Sequence, residues 1–108
     1  MTEIVLTSND ANRSLSIHVG DRVVIHLPEN PTTGYRWSVE RLDTDLLDAE
    51  GPEFSSARDA AIGGGGTMTM RLVAKKPGST SVVLANRRAW ETSGSPIDRF
   101  EVMLQITS

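Results

Sequence analysis

The sequence predicts an all-β fold, an antiparallel β-sandwich of about seven or eight strands, on three observations. Apolar and polar residues alternate with a period of two through most of the chain, as expected for strands with one buried face. Clusters of Gly, Pro, Asn and Ser separate these runs. The helix-like stretch at 43–50 is too short to be stable alone, so we interpret it as a turn leading into a strand that ends near Phe54.

The alternation defines the strands in chain order. Two short candidates come first, and six longer ones follow: 3–7, 14–19, 22–27, 35–40, 47–54, 67–74, 80–86 and 98–106. In 35–40, the inward positions are Tyr35, Trp37 and Val39, and we expect both aromatic side chains to lie mostly in the core. The run Ser-Val-Val-Leu-Ala at 81–85 is apolar on both faces, which is typical of a central strand.

The order of strands and turns predicts where the loops lie. If the chain passes up and down from residue 22, then loops 28–34, 55–66 and 87–97 all fall at one end of the sandwich, here called the loop end. The short turns fall at the other end. Clustered loops on a rigid β scaffold are a common way to build a binding surface.

Composition excludes several classes of protein. The chain has 108 residues, the size of a single domain covering 1–108, with 11 basic and 14 acidic side chains and no cysteine. Without a clustered basic face, nucleic acid is not expected as a partner. No apolar stretch approaches the roughly 18 residues of a membrane span, so no membrane partner is expected either. We expect a monomer. Because residues 1–10 do not resemble a signal peptide, we expect the chain as written to be cytoplasmic, or exported if a signal has been removed.

The sequence contains no recognisable catalytic or metal-binding set. Its two histidines, His18 and His26, fall on strands away from the loop end and have no carboxylate at a suggestive spacing. Two histidines without cysteine make a poor metal site. We therefore expect no catalytic residue, no metal and no cofactor.

Each of the three loops has an unusual composition. In the first, Pro31 fixes φ and Gly34 permits a positive φ, which would also suit an ordinary tight turn. The second carries four consecutive glycines, Gly63, Gly64, Gly65 and Gly66, which suit either a flexible surface loop or close backbone approach by a partner. In the third, Trp90 lies beyond the alternating pattern among arginines, a composition typical of interface hot spots, although it could also fold over the end of the sandwich.

These loop sequences resemble the chagasin family of inhibitors of papain-like cysteine proteases. The resemblance rests on Asn-Pro-Thr-Thr-Gly-Tyr-Arg-Trp at 30–37, the four glycines at 63–66, and Arg-Ala-Trp at 88–90, in the family's order and spacing. The third motif departs from the family's usual Arg-Pro-Trp at Ala89. Loss of that proline removes some preorganisation of the loop.

The resemblance implies an immunoglobulin-like β-sandwich that inhibits by occlusion, with its three loops wedged into the protease cleft. Thr32 and its neighbours would lie near the catalytic cysteine and histidine, the glycine loop along the non-primed subsites, and Arg88 with Trp90 on the primed side. No covalent bond would form. The protease-binding residues implied are Asn30, Pro31, Thr32, Thr33, Gly34, Tyr35, Gly63, Gly64, Gly65, Gly66, Arg88, Ala89 and Trp90.

Three alternative functions make different demands on the same sequence. A sandwich domain that binds a carbohydrate or a cell-surface protein would use Trp90 without inhibiting any protease. A hydrolase built on one of the serines would need a histidine near the loop end. A structural domain of a larger assembly would bury Trp90.

Overall fold

The computed structural model describes residues 2–29, 35–56, 66–88 and 98–108. Within these ranges the chain forms eight strands and one short 3-10 turn over Ser8–Asp10. The strands are β1 Glu3–Leu6, β2 Arg13–His18, β3 Arg22–Glu29, β4 Tyr35–Arg41, β5 Leu47–Ser56, β6 Gly66–Ala74, β7 Gly78–Arg88 and β8 Asp98–Thr107.

The strands form two four-stranded sheets packed as a sandwich. Sheet A has the order β1-β3-β6-β5, and sheet B has the order β2-β8-β7-β4. One cluster of buried side chains fills the space between them, drawn from the inward positions of both sheets. Its largest members include Phe100, Leu27, Met70 and Leu84, all 1% exposed or less. The predicted β-sandwich is confirmed.

The strand pairing is antiparallel in most of the fold but not at the N-terminus. The pairs β3–β6, β5–β6, β4–β7 and β7–β8 are antiparallel, as predicted. In contrast, β1 pairs with β3 and β2 pairs with β8 in parallel. The chain crosses between the two sheets at the 3-10 turn, so each short strand joins the edge of a different sheet.

Two inward positions of β4 differ from the prediction. Trp37 is only 5% exposed and belongs to the core cluster, whereas Tyr35 is half-buried. Val39, predicted inward, is 38% exposed. The reason is the position of β4 at the edge of its sheet, where an inward side chain has a neighbouring strand on one side only. The register with β7 shifts just beyond Val39 and places Arg41 opposite Val83, so the alternation of faces breaks after Val39.

The prediction for β7 is confirmed. It lies between β8 and β4, and the four residues Val82, Val83, Leu84 and Ala85 are all buried. Val82 and Leu84 belong to the inner cluster, while Val83 and Ala85 face the opposite side of the sheet. The second pair is therefore buried beneath side chains on the outer surface of sheet B.

The bend in β5 depends on a glycine. Gly51 has a φ of 100°, and a Cβ at this position would lie 2.8 Å from the Thr69 carbonyl oxygen on β6. The register of β5 with β6 shifts between Glu50 and Glu53, on either side of this residue. Only glycine combines that φ with so close a backbone approach.

Asp21 organises the end of the sandwich opposite the loop end. It is 8% exposed, and its carboxylate accepts hydrogen bonds from the backbone N–H groups of His18, at 2.9 Å, and Thr2, at 3.0 Å. The bond from His18, followed by that from Thr2, lowers the pKa of Asp21 below its ordinary value. The carboxylate thus ties the turn after β2 to the start of the chain.

Replacing this carboxylate should make stability less sensitive to acid. Because the folded-state pKa of Asp21 is lowered, its contribution is present above the unfolded pKa of about 3.9 and is lost as pH falls through the folded-state pKa. We expect Asp21→Asn to unfold at lower urea than the wild type at about pH 6, and the difference to shrink towards about pH 3. The control Asp48→Asn removes an exposed carboxylate that pairs with Lys75. A stability difference for Asp21→Asn that stays constant with pH would contradict this role.

Candidate functional site

The strand ends that flank the three unusual segments meet at one end of the sandwich. In sheet A, the last residue of β3, Glu29, pairs with the first residue of β6, Gly66, which also pairs with Ser56 at the end of β5. In sheet B, Tyr35 at the start of β4 pairs with Arg88 at the end of β7, and β8 begins beside them. The predicted common end for the three connections is confirmed at these strand ends.

Trp37 joins the two sheets at this end. Its backbone N–H donates to the Glu29 carboxylate at 2.7 Å, and its indole Nε1 donates to the Pro28 carbonyl oxygen at 2.8 Å. Both acceptors belong to β3 of sheet A, whereas Trp37 belongs to β4 of sheet B. The segment 30–34 therefore starts and ends at strand termini that are held together by a buried tryptophan.

Glu29 is a buried carboxylate that the sequence analysis did not single out. It is 5% exposed, at the inward position that follows Leu27 in β3. Because a buried carboxylate needs hydrogen-bond donors, an inward-facing glutamate beside a predicted loop was a usable signal. Asn86 lies opposite Trp37 on β7, and its buried Oδ1 has no hydrogen-bond partner in the described part of the chain.

A groove of about 260 Å³ opens beside this junction, between the edge strands β4 and β5. It is lined by Glu29, Arg36, Trp37, Pro52, Glu53, Phe54 and Met68. Arg36 and Trp37 are the lining residues that belong to the motif at 30–37. The groove adjoins the loop end and adds concave surface to it.

Three of the thirteen predicted site residues lie on the described strands. Tyr35, Gly66 and Arg88 occupy strand ends, so Gly66 and Arg88 belong to β6 and β7 and not to the loops. The strands extend beyond their predicted ends because backbone pairing continues past the last alternating side chains, as at Ser56 and Gly66. The other predicted residues lie outside the described residues: Asn30, Pro31, Thr32, Thr33, Gly34, Gly63, Gly64, Gly65, Ala89 and Trp90.

The two histidines lie apart from one another. His18 ends β2 at the end opposite the loop end, where it approaches Asp21 at 3.8 Å. His26 lies three residues before the end of β3, half-buried, with its Nδ1 3.0 Å from the Thr69 hydroxyl. Across the described ranges, no group of three or more His, Cys, Asp or Glu side chains is arranged to hold a metal ion. No helix in the same ranges has the length and hydropathy of a membrane span.

Truncating Glu29 should destabilise the fold. Glu29→Ala leaves the buried Trp37 N–H without its acceptor, and we expect the free energy of unfolding to fall by about 1–3 kcal/mol. The control Glu53→Ala removes a side chain that is 64% exposed and should change stability by less than about 0.5 kcal/mol. Urea unfolding measures both, and equal effects of the two substitutions would contradict a structural role for the Glu29–Trp37 hydrogen bond.

Comparisons with known proteins agree with this geometry. The profile of the family described as Chagasin family peptidase inhibitor I42 matches residues 16–104. The chain is 31% identical to chagasin from Trypanosoma cruzi, over 85% of this chain and 87% of chagasin. It is 29% identical to amoebiasin-2 from Entamoeba histolytica, over 86% of this chain and 76% of that protein.

Solved structures show the same fold. The crystal structure of the cysteine protease inhibitor EhICP2 from Entamoeba histolytica aligns with a TM-score of 0.89 at 26% identity, over 98% of this chain and 96% of that one. PbICP-C, whose structure is known in complex with falcipain-2, aligns with a TM-score of 0.61 at 17% identity, over 99% of this chain and 98% of that one. The second similarity concerns the fold alone.

Proposed function

This chain belongs to the chagasin family of peptidase inhibitors, and we propose that it inhibits papain-like cysteine proteases by reversible, non-covalent occlusion of the active-site cleft. It is an inhibitor and not an enzyme. EhICP2, at 26% identity, is a cysteine protease inhibitor with the same architecture, which supports this class of target.

The observation that carries the proposal is the convergence of strand ends. The motif segments 30–34, 57–65 and 89–97 are each anchored at both ends to strands whose termini meet at the loop end. A rigid sandwich therefore presents three separate stretches of chain to a partner on one side. Preorganised anchors reduce the conformational entropy lost when such a surface binds.

Membership of the chagasin family implies a role for each segment, and the composition of each segment suits that role. Thr32 and Thr33, beside the φ-restricted Pro31, would reach the catalytic centre of the protease without forming a covalent bond to it. The glycines at 63–65 lack side chains, so extended backbone can approach and pair with the non-primed subsites. Trp90 and Arg88 would pack against the primed side, since these are the residue types that dominate interface energetics.

A titration of enzyme activity tests the proposal. Papain or a cathepsin L-like protease is held at fixed concentration while this protein is added, and hydrolysis of a fluorogenic peptide is followed. We expect competitive inhibition that is recovered on dilution, with the inhibitor mass unchanged after long incubation. Undiminished hydrolysis at micromolar folded protein, or inhibition that depends on cleavage of the inhibitor, would contradict it.

A further inference from the structure

The two outer faces of the sandwich carry opposite charge. On sheet A, the outward positions hold two arginines and four carboxylates, a net of −2: Arg22, Arg71, Glu3, Asp48, Glu50 and Glu53. On sheet B, the outward positions hold four arginines and two carboxylates, a net of +2: Arg36, Arg41, Arg87, Arg99, Glu40 and Glu101. A chain with a net charge of −3 therefore has one basic face.

Three of these arginines lie at the part of sheet B nearest the loop end. Arg36 on β4 pairs directly with Arg87 on β7, and Arg99 on β8 lies one row further along, opposite Ala85. We call Arg36, Arg87 and Arg99 the arginine cluster. Each is two residues or fewer from a strand end that flanks a motif segment.

Among the described residues, the Glu40 carboxylate pairs with two members of this cluster. Glu40 accepts from Arg87 at 3.3 Å through one oxygen and from Arg99 at 3.2 Å through the other. Arg36 is exposed, and within the described ranges it has no carboxylate partner. Arg36 therefore adds a positive charge beside the loop end that no described carboxylate balances.

One cross-strand pair in the cluster is unfavourable for the isolated fold. Like charges directly opposite each other on antiparallel strands destabilise the pair, as Arg36 and Arg87 do here. The arginine stems can cover Ala85, which is fully buried on this outer face, but that packing needs the aliphatic part of the side chain and not the charge. Locally unfavourable charge at the rim of a site indicates a function for the charge itself.

We propose that the outer face of sheet B is a second contact surface. It recognises a carboxylate-rich patch on the target protease, located at the border of the cleft that faces β7 and β8 of the bound inhibitor. This inference rests on the proposed function. It predicts that the inhibitor associates fastest with proteases that carry carboxylates beside the cleft. Guanidinium groups suit a carboxylate-rich patch because they bind carboxylates in a bidentate geometry. Peripheral charges of this kind act mainly on the association rate.

Charge complementarity favours a protein partner over a polyanion. The basic face has a net charge of only +2, and the opposite face is acidic, whereas polyanion binding requires a dense basic surface. A folded protease with a local acidic patch needs only a few well-placed guanidinium groups. The acidic sheet A would at the same time disfavour the reversed orientation in the cleft.

Association kinetics with paired variants test the inference. Arg36→Gln with Arg99→Gln neutralises two members of the cluster and leaves Arg87 and the motif segments intact. The matched control, Arg22→Gln with Arg71→Gln, removes the same charge from the outer face of sheet A. Thermal unfolding verifies that both double variants are folded. The single variant Arg36→Gln provides a second test, because it breaks no ion pair between described residues.

The rate constants are measured with one papain-like protease of acidic and one of basic isoelectric point. For the acidic protease at low ionic strength, about 0.01 M, we expect the double variant to associate about tenfold more slowly than the wild type. The difference should largely disappear at about 1 M salt, and the control should not slow. For the basic protease the effect should be small.

The outcomes separate this inference from the function on which it rests. Wild-type protein that inhibits neither protease would overturn both. Inhibition with equal rates for the wild type and the arginine variant, or equal slowing in the control, would overturn the second contact surface alone. Retention of the wild type on an anionic polysaccharide, with unchanged inhibition kinetics in the variant, would also overturn it.

Discussion

Replacing Trp90 with alanine is expected to weaken inhibition of a papain-like protease by about thirtyfold or more, which corresponds to about 2 kcal/mol. Trp90 lies outside the described residues, two positions beyond the end of β7. Its place in the sequence, beyond the alternating pattern and among arginines, is typical of an interface hot spot. Tryptophan dominates such interfaces because it buries a large apolar area at low entropic cost.

The control for Trp90→Ala is Val5→Ala. Val5 is an apolar side chain that is 56% exposed, and it lies on β1 at the edge of sheet A, opposite Val24 and away from the loop end. Removing it should leave the inhibition constant within about twofold of the wild type. Inhibition by Trp90→Ala that matches the wild type, with both variants folded, would show that the third segment does not anchor the complex.

The largest expected effect on stability comes from Trp37→Ala. This side chain is 5% exposed in the core, and its indole Nε1 donates to the Pro28 carbonyl oxygen of β3, so we expect the free energy of unfolding to fall by about 3–5 kcal/mol. Trp37→Phe keeps most of the packing and loses the bond from Nε1 to the Pro28 carbonyl. We expect it to cost about 1–3 kcal/mol.

Val39→Ala is the matched control on the same strand. Val39 has the same parity as Trp37, but it is 38% exposed on an edge strand, so its truncation should change stability by less than about 0.5 kcal/mol. Urea unfolding curves measure all three variants. A loss for Trp37→Ala below about 1 kcal/mol would contradict its role as the link between the sheets.

The strands were predictable where side-chain alternation and position in the sheet agree. The run at 81–85 is apolar on both faces, which predicted the central strand β7, and the structure buries those residues on both sides. Val39 shows the limit of the same rule, because an inward position on an edge strand can remain exposed even where the register pairs it with a buried residue. The parallel pairing of β1 and β2 was not predictable, since the choice of partner strand leaves no mark on so short a pattern.

The candidate site was also predictable only in part. Counting strands predicted that the motif segments share one end, because each strand reverses the chain direction. Glu29 was missed although its inward position was visible, and its partner could be identified only from the structure, since the hydrogen bond to Trp37 spans the two sheets. The arginine cluster needs the register as well: Arg36, Arg87 and Arg99 are distant in sequence and adjacent only once three strands are aligned.

The central claim is that the loop end occludes the catalytic centre of a cysteine protease, and protection of the catalytic cysteine tests it most directly. The rate at which a small alkylating reagent modifies that cysteine is measured with and without saturating inhibitor. We predict that modification slows in proportion to the bound fraction, and that activity returns when the complex dissociates. Alkylation at an unchanged rate while hydrolysis remains blocked would place the binding site elsewhere on the protease and contradict the claim.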